Sequence, residues 1–482
     1  MYKFRCDIKK IVTVLLFLVL ILSAVFSIAF TRESGSFSAY EGDEICAEFL
    51  INSENSTAVL DYAMAPFRVQ KPQAFNAAAG EEELSFENRY TDEFAGMFID
   101  SDGILNIAMT YSHIRAQGLT RSSMQSFNNS VRYQAFTYSF NHLLEIHSVI
   151  NSLMQTEYGI FSSGIRENYN IVRITLRNES LVTLVRNTLK DSGLYSTTSL
   201  YFDIDPDGES KPQSIDEVDE YERPQSRNAV FGGDDIFESG YRGTVTINAT
   251  CNVTGRHGIV TAFHVTNGLG NRVHNGTTWM GTSERGQIAV IDSAFVPYEV
   301  QGIWGHTPNI RRGPITGVKA GTTTFTNVRT GGENHIVVGQ SVSQIGGTTG
   351  ITNGTITERV GSANVNFGAL GGVVYFNNII RSSYSSAGGD SGGPVVANIG
   401  ADRFFIGQHF ASGGTAARAP EIARILNVTF ITNDFSTQAP VQSSAPSFSK
   451  HSTGLNHNIC GKRPFGTAEQ AICKFECFEP NR

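Results

Sequence analysis

The 482-residue chain is poor in charge, in cysteine and in long apolar runs. Charged residues make up 17% of it, the net charge is −8 and no long basic tract occurs, which argues against nucleic acid as a partner. Beyond the N-terminal segment, no run is long and apolar enough to span a membrane. Its 48 glycines, combined with sparse charge, favour a β-rich protein with many tight turns over a helical bundle.

Cysteine is too scarce and too widely spaced for a disulfide-dense scaffold. The six are Cys6, Cys46, Cys251, Cys460, Cys473 and Cys477. The last three can form a small stapled tail, with or without Cys251, and sequence does not fix the pairing. Cys473 and Cys477 lack a convincing second ligand pair for zinc, so no metal site is predicted.

The N-terminus carries basic residues followed by an apolar run over Ile11–Phe30. Small residues at Ser27–Ala29 close that run, as at a signal cleavage site. We therefore predict a secretory signal over residues 1–30. The alternative is an uncleaved membrane anchor, because the run is about as long as a bilayer span. Either interpretation puts most of the chain outside the cytoplasm.

Residues 31–202 mix helical and strand patterns and show no catalytic constellation. Apolar spacing and alternation predict a helix over Tyr138–Gln155, a strand over Ile171–Leu176 and a helix over Leu181–Leu189 capped by Asn178 or Ser180. We expect a folded region that does not itself carry out catalysis. Residues 203–229 are acidic and interrupted by proline, which indicates an exposed linker where proteolytic cleavage concentrates.

Residues 230–435 read as a series of short strands separated by Gly, Asn and Thr. Predicted strands are Gly243–Ile247, Ile288–Ile291, His335–Val338 and Gly372–Phe376, and one clear helix covers Pro420–Leu426. Many short strands at regular spacing are typical of a sandwich or barrel. Residues 436–482 are a flexible Ser/Pro-rich linker with a short cysteine-containing tail.

The strongest chemical signal is GGDSGGPV over Gly388–Val395. A serine hydroxyl becomes an effective nucleophile when a base takes its proton and donors stabilise the oxyanion that forms. Glycines around Ser391 let the backbone turn tightly, and the amides of Gly389 and Ser391 can form an oxyanion hole. A plain glycine-rich turn is the alternative, but the full string is long and specific.

A base is predicted at His264, which ends the apolar run Gly258–Phe263. Imidazole is suited to accept the hydroxyl proton because it titrates near neutrality. A structural role is the alternative for a single histidine. Other histidines, which do not follow an apolar strand with a T-A-x-H ending, are His257, His274, His306, His335 and His409.

The third group is predicted at Asp292, an acid inside the otherwise apolar, strand-like run Ile291–Val296. A buried acid there needs a polar partner, and a histidine would serve. Taken alone, Asp292 is equally consistent with an edge-strand residue that faces water. The order His264, Asp292, Ser391 along the chain favours the catalytic interpretation, because it is the order of one established class of serine hydrolases.

These residues resemble the chymotrypsin-like serine proteases, especially the bacterial branch of streptogrisins and α-lytic protease. The matching motifs are Val230–Asp234, Thr261–His264, Gly346–Gly350, Ala411–Gly414 and the helix Pro420–Leu426. The resemblance implies an all-β fold of two perpendicular six-stranded antiparallel β-barrels with the triad between them. It also implies that an α+β pro-region, residues 31–202, assists folding and blocks the site until it is removed.

Departures from the family pattern are local. Val265 stands where the family has a cysteine after its histidine, and Ser343 and Asn353 replace a cysteine pair that flanks the hairpin. Gln344 stands where the bacterial branch has an arginine paired with the aspartate before the serine. Asp390 is therefore expected to need another cation, and the hypothesis is the α-amino group of Val230, freed by cleavage after Ala229.

The leading hypothesis is a secreted serine endopeptidase made as a zymogen, acting on protein or peptide substrates as a monomer and without a cofactor. A catalytically silent binding protein and an esterase with the same triad are the alternatives. By resemblance, Ser412, Gly413 and Gly414 bind the substrate backbone. Ser385–Ala387 carries no acid, which disfavours cleavage after Lys or Arg, and small-to-medium apolar side chains are the expected targets.

Overall fold

The computed structural model describes residues 90–116, 131–212, 229–238, 241–276, 278–299, 305–311, 324–368 and 371–433. The predictions for the signal, for residues 213–228 and for the tail lie outside these residues. Within the described ranges, no helix has the length and apolar character needed to cross a membrane. Cys251 is the described cysteine, and its buried thiol is free.

The N-terminal part, residues 90–212, contains two small sheets and three helices. Its elements are β1 (Phe94–Ile99), β2 (Leu105–Thr110), α1 (Tyr111–Ala116), β3 (Val131–Phe136), α2 (Phe140–Met154), β4 (Ile160–Arg166), β5 (Ile171–Leu176), α3 (Ser180–Asp191) and β6 (Leu200–Ile204). β1, β2 and β3 form one sheet, and β4, β5 and β6 form part of another. Helix α2 buries its apolar face, including Phe140 and Leu143, in a core shared by both sheets.

The predicted elements of this part are confirmed, with one correction. Helix α2 begins after Ser139, whose hydroxyl accepts from the His142 amide 3.1 Å away and so satisfies a free N–H of the first turn. Helix α3 begins after Glu179, and no side chain caps it. The predicted cap was wrong because Asn178 accepts from the Ser180 hydroxyl instead of from a helix amide.

The C-terminal part, residues 229–433, is almost entirely β. Its strands are β7 (Ala229–Gly232), β8 (Asp235–Glu238), β9 (Tyr241–Thr244), β10 (Ile247–Cys251), β11 (His257–Thr261), β12 (Arg272–Asn275), β13 (Thr278–Thr282), β14 (Arg285–Gln287), β15 (Ser293–Pro297), β16 (Gly305–Arg311), β17 (Thr324–Phe325), β18 (Val328–Thr330), β19 (Ser341–Gly346), β20 (Gly350–Asn366), β21 (Val373–Ser382), β22 (Pro394–Ile399), β23 (Asp402–Ala411), β24 (Thr415–Arg418) and β25 (Val428–Phe430), with helix α4 (Ala419–Leu426) before the last strand. The mostly-β prediction is confirmed.

Three sheets are built from the first half of the C-terminal part, with β25 added to one of them from its end. Their strand orders are β14-β15-β11-β10-β25, β13-β12-β8-β9 and β17-β16-β7. A bridge between Gly281 and Tyr298 joins the first two sheets. In the second half, β19-β22-β23-β24-β21-β20 are hydrogen-bonded in that order, and a pairing of β19 with β20 closes the six strands into a ring.

Two predicted strands of the C-terminal part were wrong, and a third is divided. Residues 288–291 form a bend in which Val290 is exposed, because the pairing with β11 is made by β15 instead. His335 ends a short 3-10 helix in which its Nδ1 accepts from the Gly332 amide 3.0 Å away. The predicted strand over 243–247 is divided between β9 and β10. The strand at Gly372–Phe376 and the helix at Pro420–Leu426 are confirmed as β21 and α4.

Ser343 and Asn353 face each other across the β19–β20 hairpin. The Ser343 hydroxyl donates to Asn353 Oδ1 at 2.7 Å. A hydrogen bond thus joins the two positions at which the resemblance leads one to expect a disulfide.

The two parts meet along one continuous sheet within a single compact unit. β4 pairs antiparallel with β20, in the register Gly164 to Gly361 and Ser162 to Ala363. Strands β4, β5 and β6 of the N-terminal part therefore extend the closed ring of the C-terminal part. A further backbone bond runs from the Ile99 amide to Val338 O, 2.8 Å away.

Buried side chains of opposite charge also pair across the boundary between β4 and β20, which we call the seam. Glu358 of β20 pairs with Arg166 at 2.9 Å and Arg173 at 3.5 Å from the N-terminal part, and lies 3.8 Å from Arg381 of β21. Arg359 of β20 pairs with the fully buried Glu167. Burial acts to raise the pKa of Glu358, but the three surrounding arginines outweigh it and leave that pKa lowered. Burial raises the pKa of Glu167 despite Arg359.

Candidate active site

Ser391 lies in a tight loop immediately before β22, and its side chain is fully buried. The loop is fixed against the first half of the C-terminal part, because Ser391 O accepts from the Thr244 amide at 2.8 Å. Gly392 has a φ of +91°, and a Cβ on it would lie 2.1 Å from Thr244 O. Only glycine fits there, so the glycines of the motif are required by the geometry of the loop.

Asp390 is held by neutral donors. Its Oδ1 accepts from the amides of Thr348 and Thr349 at 2.9 and 3.0 Å, and its Oδ2 accepts from the Thr349 hydroxyl and the Ala387 amide, each at 2.8 Å. Several hydrogen bonds satisfy a buried carboxylate without a cation. In the uncut chain Asp390 is therefore satisfied without a cation, contrary to the expectation, and its pairing with a Val230 amino group freed by cleavage stays a prediction. Gln344 bonds elsewhere, to the Thr352 hydroxyl.

His264 begins a short 3-10 helix directly after β11 and is almost fully buried. Its Nδ1 lies 2.6 Å from Asp292 Oδ2, and its backbone amide donates to Asp292 Oδ1 at 3.0 Å. Both carboxylate oxygens therefore hold one residue, which fixes the ring plane and keeps the proton on Nδ1. Burial raises the pKa of Asp292, and the nearby His264 opposes that rise.

Asp292 does not lie within a strand, contrary to the expectation from its apolar neighbours. β15 begins at Ser293, and Asp292 has a φ of +42°. This left-handed conformation is uncommon for a residue other than glycine, although aspartate and asparagine adopt it more readily than most. Asp292 is thereby turned toward His264, while the apolar residues that follow it enter the sheet.

The structure brings Ser391 and His264 to the same place, from different halves of the C-terminal part. A Cβ on Gly243 would lie 2.4 Å from Val265 Cγ1 and 3.0 Å from Ser391 O, so this glycine allows the serine loop and the histidine helix to approach each other. The Ser391 hydroxyl donates to Phe410 O at 3.1 Å. His264 Nε2 is buried and has no hydrogen-bond partner among the described residues.

An extended segment of the N-terminal part lies on the end of β23, next to Phe410. Lys211 O accepts from the Ser412 amide at 2.9 Å, and the Lys211 amide donates to the Ser412 hydroxyl at 3.0 Å. Pro212 forms an antiparallel bridge with Ala411. The Asn366 amide donates to Ser210 O at 3.0 Å. Residues 210–212 are thus bound as an added strand beside the serine loop.

Of the three predicted substrate-binding residues, Ser412 contacts this segment. Gly413 and Gly414 form the turn into β24, and Gly414 O accepts from the Ser382 amide at 3.0 Å. Sequence reasoning missed Phe410, which directly precedes the matched motif Ala411–Gly414. The signal for it is the long buried run of β23 that ends at Ala411.

His409 is part of β23 and is fully buried. Its Nδ1 is 3.1 Å from the Tyr384 hydroxyl. Burial, together with the nearby His264, lowers the pKa of His409 to about 3, so the ring is neutral. Among the described residues, no group of acidic, histidine or cysteine side chains is arranged to hold a metal ion.

No family model matches the chain. Serine protease 1 of Streptomyces fradiae is 32% identical over 191 residues, which are 38% of this chain and 45% of that protein. Glutamyl endopeptidase 2 of Streptomyces griseus is 32% identical over 193 residues, which are 39% of this chain and 89% of that protein. The chain belongs to the bacterial chymotrypsin-like serine proteases.

The predicted family and the assignment as a serine-type endopeptidase are thereby confirmed. The chain spans less than half the length of Serine protease 1 of Streptomyces fradiae.

Solved structures similar to this chain include Thermobifida fusca Protease A, at 21% identity and a TM-score of 0.33, over 42% of this chain and 99% of that one. Another is a glutamic acid specific serine protease that utilizes a novel histidine triad in substrate binding, at 26% identity and a TM-score of 0.32, over 42% of this chain and all of that one.

Proposed function

We propose that the chain is the precursor of a secreted serine endopeptidase in which Ser391, His264 and Asp292 form the catalytic triad. The observation that carries the proposal is the His264–Asp292 contact of 2.6 Å beside the buried serine loop, with an extended segment bound along the neighbouring strand. Protein and peptide chains are the substrates, since an added strand of this kind is how an extended peptide binds.

In the proposed reaction, Ser391 Oγ forms a bond to the carbonyl carbon of the scissile peptide and gives its proton to His264 Nε2. Asp292 keeps the imidazole in the required tautomer and stabilises the imidazolium. The amides of Gly389 and Ser391 stabilise the oxyanion. His264 then donates the proton to the leaving amine as the C–N bond breaks, which leaves an acyl-enzyme on Ser391.

Water completes the cycle. His264 accepts a proton from the water as its oxygen bonds to the acyl carbon, and returns that proton to Ser391 Oγ as the ester bond breaks. Nε2 of His264 is available for both transfers, because its other nitrogen is committed to Asp292. The ring turns only slightly, because one carboxylate oxygen of Asp292 binds its Nδ1 and the other binds the His264 backbone amide.

The described state is proposed to be an inhibited precursor. Residues 210–212 occupy the strand edge that a substrate would use, and the Ser391 hydroxyl is directed at Phe410 O. In this interpretation, residues 1–30 are the signal and residues 31–202 are the pro-region, which acts as folding aid and inhibitor. Cleavage within residues 203–229 releases a monomeric protease of two six-stranded barrels, residues 230–435, followed by the tail 436–482.

A silent binding protein and an esterase are the competing functions. The silent interpretation requires a damaged centre, whereas the His264–Asp292 contact and the glycine-lined serine loop are intact here. Ester turnover uses the same groups, and peptide substrates distinguish the two activities.

A preference for glutamate before the scissile bond is a second candidate, in place of the apolar preference expected from sequence. One relative is named a glutamyl endopeptidase, and this chain carries the buried His409 directly before Phe410. A neutral imidazole beside the Tyr384 hydroxyl offers hydrogen bonds to a substrate carboxylate. Turnover of matched peptides that differ only in Glu, Gln or Leu at that position separates the two preferences.

The test of the proposed function is labelling of the secreted, processed protein with a serine-directed fluorophosphonate. We expect wild type to take up one label per chain, and Ser391→Ala to take up none. Ser383→Ala is the matched control, because Ser383 is exposed in the loop upstream and should leave labelling unchanged. Absence of label on correctly processed wild type would favour the silent binding protein.

A further inference from the structure

Asp292 is held in an unfavourable backbone conformation by contacts outside its own side chain. Its φ of +42° is the one positive value among the described aspartates, and the other described non-glycine residues with positive φ are asparagines. Such a conformation is unfavourable for a residue other than glycine and persists only where the surroundings enforce it. Both carboxylate oxygens are engaged with His264, and further contacts act on the backbone of Asp292.

The carbonyl oxygen of Asp292 receives two hydrogen bonds. One comes from the Phe263 amide at 3.1 Å, in the segment that carries His264. The other comes from Gln408 Nε2 at 2.9 Å, which reaches across from β23. Gln408 is fully buried, so its amide exchanges no hydrogen bond with bulk water.

The orientation of the Gln408 amide follows from its neighbours. Asp292 O can only accept a hydrogen bond, so it must face the NH₂ group. The amide oxygen then faces two hydroxyls, Thr246 Oγ1 at 3.0 Å and Ser293 Oγ at 3.2 Å. Thr246 Oγ1 also lies 2.5 Å from Gly392 O, in the serine loop. Gln408, through Thr246, therefore connects the backbone of Asp292 with the loop that carries Ser391.

We propose that Gln408 is a positioning residue for catalysis, which keeps the Asp292 carboxylate against His264 by holding the backbone carbonyl of Asp292. The proposal rests on the proposed function of the triad. Without the amide, the Asp292 peptide keeps one donor of two and relaxes from the left-handed conformation. The carboxylate then moves away from Nδ1, and the imidazolium loses part of its stabilisation.

The test uses the full-length protein, processed as wild type is, with Gln408→Met. Methionine nearly preserves shape but cannot donate. We expect kcat to fall by roughly 10- to 100-fold with KM changed less than about threefold, because misplacement at this centre affects the transition state more than binding. The acid limb of the kcat/KM profile should move to lower pH, because the imidazolium is less stabilised.

The matched control is Gln340→Met. Gln340 is also buried and its Nε2 also donates to backbone carbonyls, those of Ser341 and Asn398, but it lies away from the triad. It should lower stability comparably and leave the pH profile unchanged. Equal effects of the two variants on kcat and on the acid limb would overturn the positioning role.

A gentler variant covers the case in which Gln408→Met does not fold. Ser293→Ala removes one of the hydroxyls that orient the Gln408 amide and leaves Asp292 intact. We expect the same direction of change, at roughly 2- to 5-fold in kcat. Wild-type kcat and an unmoved acid limb in Ser293→Ala, with Gln408→Met unfolded, would contradict the proposal.

A spectroscopic readout separates this proposal from the proposed function. The proton between His264 Nδ1 and Asp292 gives a strongly downfield NMR signal whether or not the enzyme turns over. Gln408→Met should shift that signal upfield, and Gln340→Met should leave it in place. If wild type takes up no label but its NMR signal responds to Gln408→Met, the proposed function is contradicted and the positioning role is supported. If wild type is labelled but the signal does not respond, the proposed function is supported and the positioning role is contradicted.

Discussion

The catalytic centre and the seam both bury acids, but they satisfy them differently. At the centre, Asp390 is held by amides and a hydroxyl, and Asp292 is held by His264, all within the C-terminal part. At the seam, Glu358 and Arg359 depend on charged partners from the N-terminal part. The difference shows which contacts survive a separation of the two parts. The centre keeps its partners, whereas the seam loses Arg166, Arg173 and Glu167 and keeps Arg381.

This division fits the proposed precursor. A buried ion pair gives little net stability, but removal of one partner is costly, because the remaining charge stays buried. The ion pairs of the seam therefore hold the two parts together in the uncut chain. After separation, the charged side chains that were paired across the seam become exposed to water. The neutral donors around Asp390 belong to the C-terminal part, so separation does not take them from the carboxylate.

The largest expected effect comes from Asp292→Asn at the centre. The amide cannot hold His264 in the required tautomer, so we expect kcat to fall by roughly 10,000-fold. The free energy of unfolding should hardly fall, because burial already raises the pKa of Asp292 and so disfavours its charged form. Asp402→Asn, in a partly exposed pair with Arg329, is the control and should retain activity.

Stopped-flow turnover and denaturant unfolding measure the two quantities separately. A parallel loss of activity and stability in Asp292→Asn would show that the aspartate supports the fold instead of the chemistry.

The next effect is expected at the seam, from Glu358→Gln in an inactive Ser391→Ala precursor. Arg166, Arg173 and Arg381 would then face one another without their shared carboxylate, and the free energy of unfolding should fall by about 3–5 kcal/mol. Glu421→Gln, which breaks an exposed pair with Arg424, should cost less than about 1 kcal/mol. Similar losses in both variants would remove the distinction between the seam and the surface.

A smaller effect is expected from pH, through His147 of α2. Burial lowers its pKa from 6.5 to about 4, so the folded precursor holds it neutral. Its contribution to stability is therefore present above pH 6.5 and is lost as pH falls from 6.5 toward 4, to the extent of roughly 2–3 kcal/mol. A hydrogen bond with the Ser163 backbone and the negative charge of Glu358 act to raise this pKa and so oppose the shift.

The measurement is the free energy of unfolding of the Ser391→Ala precursor at pH 7 and pH 4.5, beside the same protein with His147→Gln. The histidine-containing precursor should lose more stability on acidification. An identical loss in both proteins would show that His147 does not cause the loss of stability at low pH.

Sequence patterns identified the parts of the molecule that local chemistry determines. Helix α2 and strand β5 follow from apolar spacing, and the loop around Ser391 follows from a string of glycines that its geometry requires. The contact of His264 with Asp292 brings together two residues that sequence analysis had singled out for their local settings.

What sequence missed depends on contacts between distant segments. Three of the four donors to Asp390 come from a hairpin more than forty residues upstream. Residues 288–291 bend because β15 takes the pairing with β11. Gln408 looks like a polar interruption of an apolar strand until Asp292 O is seen 2.9 Å away. No local pattern carries this information, because each partner is chosen by the fold.

The most direct test of the central claim is the rate of fluorophosphonate labelling before and after the chain is cut between residues 213 and 228. We expect the uncut precursor to label very slowly, because residues 210–212 cover the strand beside Ser391. Cutting, followed by separation of the two parts, should raise the rate by several orders of magnitude. An uncut precursor that labels as fast as the separated protease would contradict the account.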